Sequence, residues 1–269
     1  MKRYCLYLFI LIGISCSAEL KAQKNGTVYK GNDPAVRYTG RTLVSPDGSV
    51  AFDWVGTYLE TRFTGGKLSV KVSETGTSYY NVFVDGKLHK VVKVCGTDTL
   101  IHLVSGIDKR IHSLKIQKRS EGEFGKTTVH QFVLSGSGRL AEEPAVRTRH
   151  IEFIGNSLTC GYGTDGKHRD EPFLVETENC NLTFASMVAR YYDADYTLIA
   201  HSGRGAARNY GDSVRVSKVT MKDRMLNTFD EDLTHKWNFK EYRPDLVVIN
   251  LGSNDFSTEP HPYKSEFTK

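Results

Sequence analysis

IEFIGNSLTCGYG, Ile151 to Gly163, passes from a short apolar run into a glycine-rich turn. The run from Ile151 to Ile154 predicts a strand of a buried sheet. Ser157 then falls at the strand-to-loop corner. In an open α/β sheet that corner lies at the carboxyl edge, where ligands collect. Gly161 and Gly163 delay regular pairing, so the Leu158 and Thr159 N–H groups are expected to be free to face an anion. Such a corner suits a serine nucleophile, and it equally suits a serine that only caps a helix.

Two later segments separate these readings. Tyr196 to Ala200 is a second strand-like run, and it ends in His201-Ser-Gly203-Arg-Gly205. Asp245 to Leu251 is a third, the most β-branched, and it ends in Gly252-Ser-Asn254-Asp255. Three strands each ending in a small or polar turn predict one shared sheet edge. A serine, an unobstructed glycine N–H and an asparagine amide are the parts of an oxyanion hole beside a nucleophile. The segments GNSLTCGYG, SGRG and LGSND, in that order, resemble the first three sequence blocks of the SGNH (GDSL-type) hydrolases. The flanks EFIGNSLTCGYG and PDLVVINLGSNDFS are similar, more narrowly, to the family 2 carbohydrate esterases, which remove acetyl groups from plant polysaccharides.

That resemblance implies an α/β hydrolase domain with a parallel sheet. It also implies Ser157 as nucleophile, with Gly203 and Asn254 completing the oxyanion hole and Gly205 as the alternative to Gly203. It implies acetylated polysaccharide or oligosaccharide, xylan or glucomannan among them, as the partner, with no cofactor and no metal. One position departs from the broad pattern: the GDS triplet is here Gly155-Asn156-Ser157. Asparagine keeps the shape and hydrogen-bonding capacity of the acid without its charge.

The chain has 269 residues, 25% charged and 39% hydrophobic, ordinary for a soluble protein and long enough for two domains. Its net charge of +5 forms no basic stripe interleaved with aromatics, so no nucleic-acid partner is expected. Lys2 and Arg3 precede an apolar stretch, Leu6 to Ile14, and Ala22 offers a cleavage point before Gln23. Residues 1–22 are therefore predicted to be a signal peptide, too short in its apolar part for a membrane span. The mature chain is expected to be secreted or periplasmic with no transmembrane span. Lipid anchoring at Cys16 is the weaker alternative, because Gly13-Ile-Ser15 makes a poor lipobox. Pairing of Cys160 with Cys180 and free buried cysteines both stay open. No CxxC or clustered His/Cys spacing points to a metal.

Between Val28 and Leu134 the texture changes to short β-rich runs separated by turn signals such as Pro46-Asp-Gly48, Thr64-Gly-Gly66 and Asp85-Gly86. This spacing predicts an all-β sandwich, and the resemblance implies a jelly roll. The expected organisation is a jelly-roll-like sandwich over 24–137, a linker over 138–150 around Pro144, and the α/β domain over 151–269. Trp54, Tyr58, Phe63, Tyr79, Tyr80 and Phe83 are read as core before sugar platform. In the second domain, Phe184, Met187, Val188 and Tyr191 recur at helical spacing and predict a core-facing stripe after a Thr183 cap. Val219 to Phe229 predicts another short helix. Trp237 is a candidate substrate-binding residue, with core as the default.

A serine nucleophile needs a histidine base. In the SGNH hydrolases that histidine follows the asparagine block, usually in an Asp-x-x-His segment. Here His261, in Glu259-Pro-His-Pro262, is the one histidine in that order and the candidate base, though its prolines predict an extended surface loop. Asp165-Gly-Lys-His168 and Asp232-Leu-Thr-His235 match the spacing but precede the block. His201 is a second-layer candidate. With three clear strands and no histidine segment after Asn254, the C-terminal part of the domain is expected to be missing. Two functions follow. One is a secreted carbohydrate O-acetyl esterase, and the other a non-catalytic glycan-binding protein with a vestigial hydrolase half.

Overall fold

A computed structural model describes residues 26–142 and 145–267. The expected signal peptide, Cys16 and Pro144 lie outside the described residues. Among the described residues, eight strands precede residue 150: β1 Gly26–Lys30, β2 Val36–Thr39, β3 Leu43–Val44, β4 Val50–Phe52, β5 Tyr58–Val84, β6 Lys87–Lys118, β7 Thr127–Ser135 and β8 Arg139–Leu140. All eight join one antiparallel sheet. β5 and β6 form a long hairpin closed by Asp85 and Gly86, whose φ values of 50° and 75° match the two-residue turn that suits twisted strands. Several runs that read as separate strands are bends within β5 and β6. The hairpin folds back on itself: Tyr80, Asn81 and Val82 each pair with two separate stretches of β6. The curled sheet thereby encloses its own core, with Phe52, Phe63, Leu68, Val82, Leu103, Leu114 and Phe132 packed inside. Leu68, Val70 and Val72 are buried, as their period-two spacing predicts. β8 falls inside the expected linker and pairs with β5 at Phe63 and Thr64.

The second half holds a parallel sheet in the order β10-β9-β11, formed by β9 His150–Gly155, β10 Asp195–Ala200 and β11 Leu246–Ile249. β9 is central and buried from Ile151 to Gly155, which explains its near-continuous apolar run. Glu152 is tolerated there because Arg41 lies 3.4 Å away and the Tyr242 hydroxyl donates to it. Among the described residues this half also holds four short helices, α1 Ser157–Cys160, α2 Phe184–Tyr191, α3 Met221–Arg224 and α4 Lys264–Phe267, of which α1 and α2 pack on the sheet.

α2 forms where its spacing predicts but presents the opposite face. Ala185, Ser186 and Ala189 are buried, whereas Met187 is 55% and Tyr191 83% exposed, with Phe184 and Val188 also outward. Small residues let the helix lie close against the sheet, and this close approach outweighs the larger side chains' preference for burial. Thr183 holds the expected N-cap position, its carbonyl accepting the Met187 N–H, but its side chain makes no cap bond and the hydroxyl donates to the Cys180 carbonyl. The expected helix over Val219–Phe229 shrinks to α3, opened by a Thr220/Asp223 capping box.

The two halves share an interface. Trp54 packs on Ile154, Ile199 and Met221, and Val55 and Tyr58 join the cluster around Phe153 and Leu198. Trp54, Tyr58, Phe63 and Tyr80 are buried; Tyr79 and Phe83 are half-buried. Asp195, at the start of β10, accepts from Arg37 at 2.7 Å, Arg147 at 2.8 Å and the Tyr58 hydroxyl at 2.7 Å. Among the described residues, Cys95, Cys160 and Cys180 form no disulfide.

Candidate active site

The carboxyl ends of β9, β10 and β11 carry the three motifs to one place. After β9, Asn156 caps α1: its side-chain oxygen accepts the Leu158 N–H at 3.2 Å, and its carbonyl accepts those of Thr159 and Cys160. The Leu158 and Thr159 donors are therefore spent on the cap, contrary to the sequence expectation, because four free N–H groups at a helix start demand partners. Ser157 itself is half-buried; its N–H and its hydroxyl have no partner among the described residues. Asn156 also donates its side-chain amide to Ser253 Oγ at 3.0 Å, tying the first motif to the third.

After β10, Gly203 takes φ +74°, and a Cβ there would meet no atom closer than 4.0 Å. Its carbonyl accepts the Tyr210 N–H at 2.8 Å, while its own N–H has no partner among the described residues. Gly205 differs. Its N–H donates to Asn209 Oδ1, and a Cβ would collide with the Arg208 carbonyl and the Asp255 carboxylate. After β11, Asn254 donates one amide hydrogen to the Arg204 carbonyl at 2.7 Å, which leaves the other for a ligand. The neighbouring Asp255, fully buried, accepts the Ala206, Ala207 and Arg208 N–H groups at 3.0, 2.7 and 2.9 Å. Motifs two and three are thus one hydrogen-bonded unit.

Ser157, Gly203 and Asn254 line a common open cleft of about 440 Å³ with Glu123, Tyr162, Ser202 and Tyr210. Glu121, from the strand-rich half, lies beneath it. Its Oε2 accepts the Ser202 N–H at 2.6 Å and faces Cys160 Sγ at 3.5 Å. Burial raises the pKa of Glu121 and, more strongly, of Glu178, whose carboxyl faces it. Burial likewise pushes the Cys160 thiol up, which disfavours its thiolate. Glu121, Cys160 and Glu178 form one metal-capable cluster among the described residues, and His201, Asp230 and Glu231 a second. In the second, Arg224 already neutralises the acids.

All nine histidines lie among the described residues, and none lines the cleft. His201 is buried behind it, with Nδ1 at 2.8 Å from Asp230 and Nε2 at 3.5 Å from Glu123. Burial opposes its charge, but the hydrogen bonds to Asp230 and Glu123 prevail and push its pKa up to about 9. A protonated imidazole at neutral pH takes no proton from a serine. His261 stays on its own loop, 3.4 Å from Glu259 and edge-on to Phe256; it makes no hydrogen bond to Ser157. Neither Asp-x-x-His spacing reaches the cleft: Asp165 binds Arg119 and Asn179, and Asp232, beside His235, binds Thr234. Trp237 is also away from the cleft. It packs against Arg41 and Tyr242, and Tyr242 stacks on His150 at the opposite end of β9. Sequence reading missed Glu121, Asp255, Tyr162 and Tyr210. Asp255 was within reach, as it follows Asn254 directly; Glu121 acts across 81 positions and leaves no local signal.

Comparison with known proteins identifies the family of both halves. Residues 38–144 match the model of the carbohydrate esterase 2 N-terminal domain, and residues 151–268 that of the GDSL-like lipase/acylhydrolases. The chain is 35% identical to the cellulase/esterase CelE of Acetivibrio thermocellus over 84% of its own length and 27% of that protein's. It is 33% identical to an acetylxylan esterase/glucomannan deacetylase of Cellvibrio japonicus, over 81% of its own length and 61% of the relative's. The chain therefore spans about a quarter and three fifths of these relatives. Among solved structures it is similar to a family two carbohydrate esterase from Clostridium thermocellum in complex with cellohexaose. That match has a TM-score of 0.81 and 34% identity, and it covers 86% of this chain and 70% of that one. Both halves, in their order and at this level of identity, place the chain in the family 2 carbohydrate esterases.

Proposed function

We propose that this chain is an exported carbohydrate O-acetyl esterase that acts on acetylated plant polysaccharide such as xylan or glucomannan. The observation that carries this reading is the convergence at one cleft of the unpartnered Ser157 hydroxyl, the Ser157 and Gly203 N–H groups and the Asn254 amide. In the proposed reaction Ser157 Oγ attacks the acetyl carbonyl carbon and its proton passes to a base. The carbonyl oxygen, now an oxyanion, takes hydrogen bonds from the two N–H groups and from Asn254. Collapse breaks the bond to the sugar oxygen, which leaves with the proton, and water then releases acetate from the acetyl-serine. Donors fixed before the charge develops are worth most, each about 3 kcal/mol, and Asn254 is fixed by Arg204. Export rests on Lys2, Arg3 and the apolar run before Ala22. Among the described residues no helix is long and apolar enough to cross a membrane. The folded-back β5–β6 hairpin supports reading the strand-rich half as a jelly roll.

Glycan binding without hydrolysis is the second reading, favoured by one observation: no histidine of the chain lines the cleft. We expect the 269-residue chain to release acetate from an aryl acetate slowly, since the oxyanion hole alone gives limited acceleration. Added imidazole should supply a base and raise the rate. Ser157→Ala should abolish that increment, leaving only what imidazole does in free solution. An increment that survives in Ser157→Ala contradicts the esterase assignment.

A further inference from the structure

Tyr162 follows the nucleophile helix directly, and its N–H donates to the Ser157 carbonyl at 3.1 Å. Its ring lies flat on Phe173, with centroids 3.7 Å apart and planes 10° from parallel. Phe173 in turn stacks on Phe124 of the strand-rich half, at 5.7 Å and 30°. One face of Tyr162 is thus covered, yet the residue is 48% exposed. Its other face and edge must be open. A stack serving only to fill space would bury its outermost ring, and this one does not.

Tyr162 also belongs to two walls. It lines the Ser157 cleft and an adjoining hollow of about 270 Å³ with His168, Glu171 and Phe173. A pyranose ring offers an apolar C–H face and a rim of hydroxyls. A flat aromatic with polar groups around it matches both, since ligand sites join aromatic surface with a few placed polar groups. We propose that Tyr162, backed by Phe173 and Phe124, is a stacking subsite for an unsubstituted pyranose next to the acetylated residue at Ser157. The chain would then select oligosaccharides over single sugars, and the strand-rich half would contribute to that selection through Phe124. The inference rests on reading Ser157 as the reacting position, but only for which sugar the subsite adjoins.

Calorimetric titration of the intact chain with unsubstituted β-1,4-linked hexasaccharides of glucose, mannose and xylose tests the subsite without any need for turnover. At least one hexasaccharide should bind, and its monosaccharide at least about tenfold more weakly, which corresponds to roughly 1.4 kcal/mol. Tyr162→Ala should weaken hexasaccharide binding about tenfold or more, and Tyr162→Phe should keep it, because the ring and not the hydroxyl makes the platform. Should Tyr162→Ala unfold, saturation transfer from the Tyr162 ring to sugar C–H protons in the intact chain reads the same contact. Absence of hexasaccharide binding at millimolar concentration, unchanged affinity in a folded Tyr162→Ala, or no transfer from that ring would each overturn the proposal. Ser157→Ala should leave hexasaccharide affinity intact, so loss of acetate release and loss of this subsite are separately visible.

Discussion

At the scale of single residues, hydrogen-bond accounting says more than residue type. SGRG offers two glycines, and sequence treats them alike. The structure distinguishes them, because Gly205 has spent its N–H on Asn209 and lacks room for a Cβ, whereas the Gly203 N–H has no partner among the described residues. The same accounting explains Asn156, which both caps α1 and donates to Ser253, a donation that an ionised aspartate cannot make. His201 carries a prediction about pH. Its pKa in the fold is pushed up to about 9 from 6.5, so it contributes stability that is fully present below about pH 6.5 and lost as pH rises through 9. The contribution is on the order of 3 kcal/mol. His201→Gln should flatten the fall in stability between those limits, measured by urea denaturation across the range. An unchanged slope would mean that Asp230 does not hold the imidazolium.

At the scale of elements, what was legible followed from burial on both sides. β9 and β10 read directly from their apolar runs, and the motifs at their ends read with them. α2 did not, because periodicity reveals an apolar face without saying which neighbour the helix has. Close packing of Ala185 and Ala189 turned the larger residues outward. Met187→Lys should therefore change stability by less than about 0.5 kcal/mol, whereas Ala189→Leu should cost about 1–3 kcal/mol by overpacking. Thermal denaturation of the two variants checks this, and the reverse order would restore the stripe to the core. β11 is similarly open: Leu246 is 52% and Ile249 65% exposed, and it pairs with β9 alone among the described residues. The Thr64-Gly-Gly66 turn signal within the long hairpin misled for a different reason. Glycines at Gly66, Gly96 and Gly106 have positive φ yet bend continuous strands, as bulges do, instead of ending them.

At the scale of the molecule, the strand-rich half does more than precede the hydrolase half. It supplies Glu121 beneath the Gly203 turn, Phe124 behind Tyr162, and the charge network on Asp195. None of these was visible in sequence, since each joins positions far apart in the chain. Asp195 accepts from Arg37, Arg147 and Tyr58, and these bonds, with the nearby charges, hold its carboxyl below the usual range despite burial. Removing one partner of a buried ion pair strands the other charge. Asp195→Ala should cost about 3–5 kcal/mol, read by chemical denaturation. A cost under about 1 kcal/mol, the range of exposed pairs, would mean that the network contributes little to holding the halves together.

The proposed esterase chemistry requires Ser157 to stand beside a ready-made oxyanion hole, and the most direct measurement is a crystal structure of the chain with an alkyl boronate. The boron should bond to Ser157 Oγ and become tetrahedral. One boronate oxygen should then lie about 2.7–3.1 Å from the Ser157 nitrogen, the Gly203 nitrogen and Asn254 Nδ2. An adduct whose oxygens all turn to solvent, or a boronate that ignores Ser157, would contradict the account.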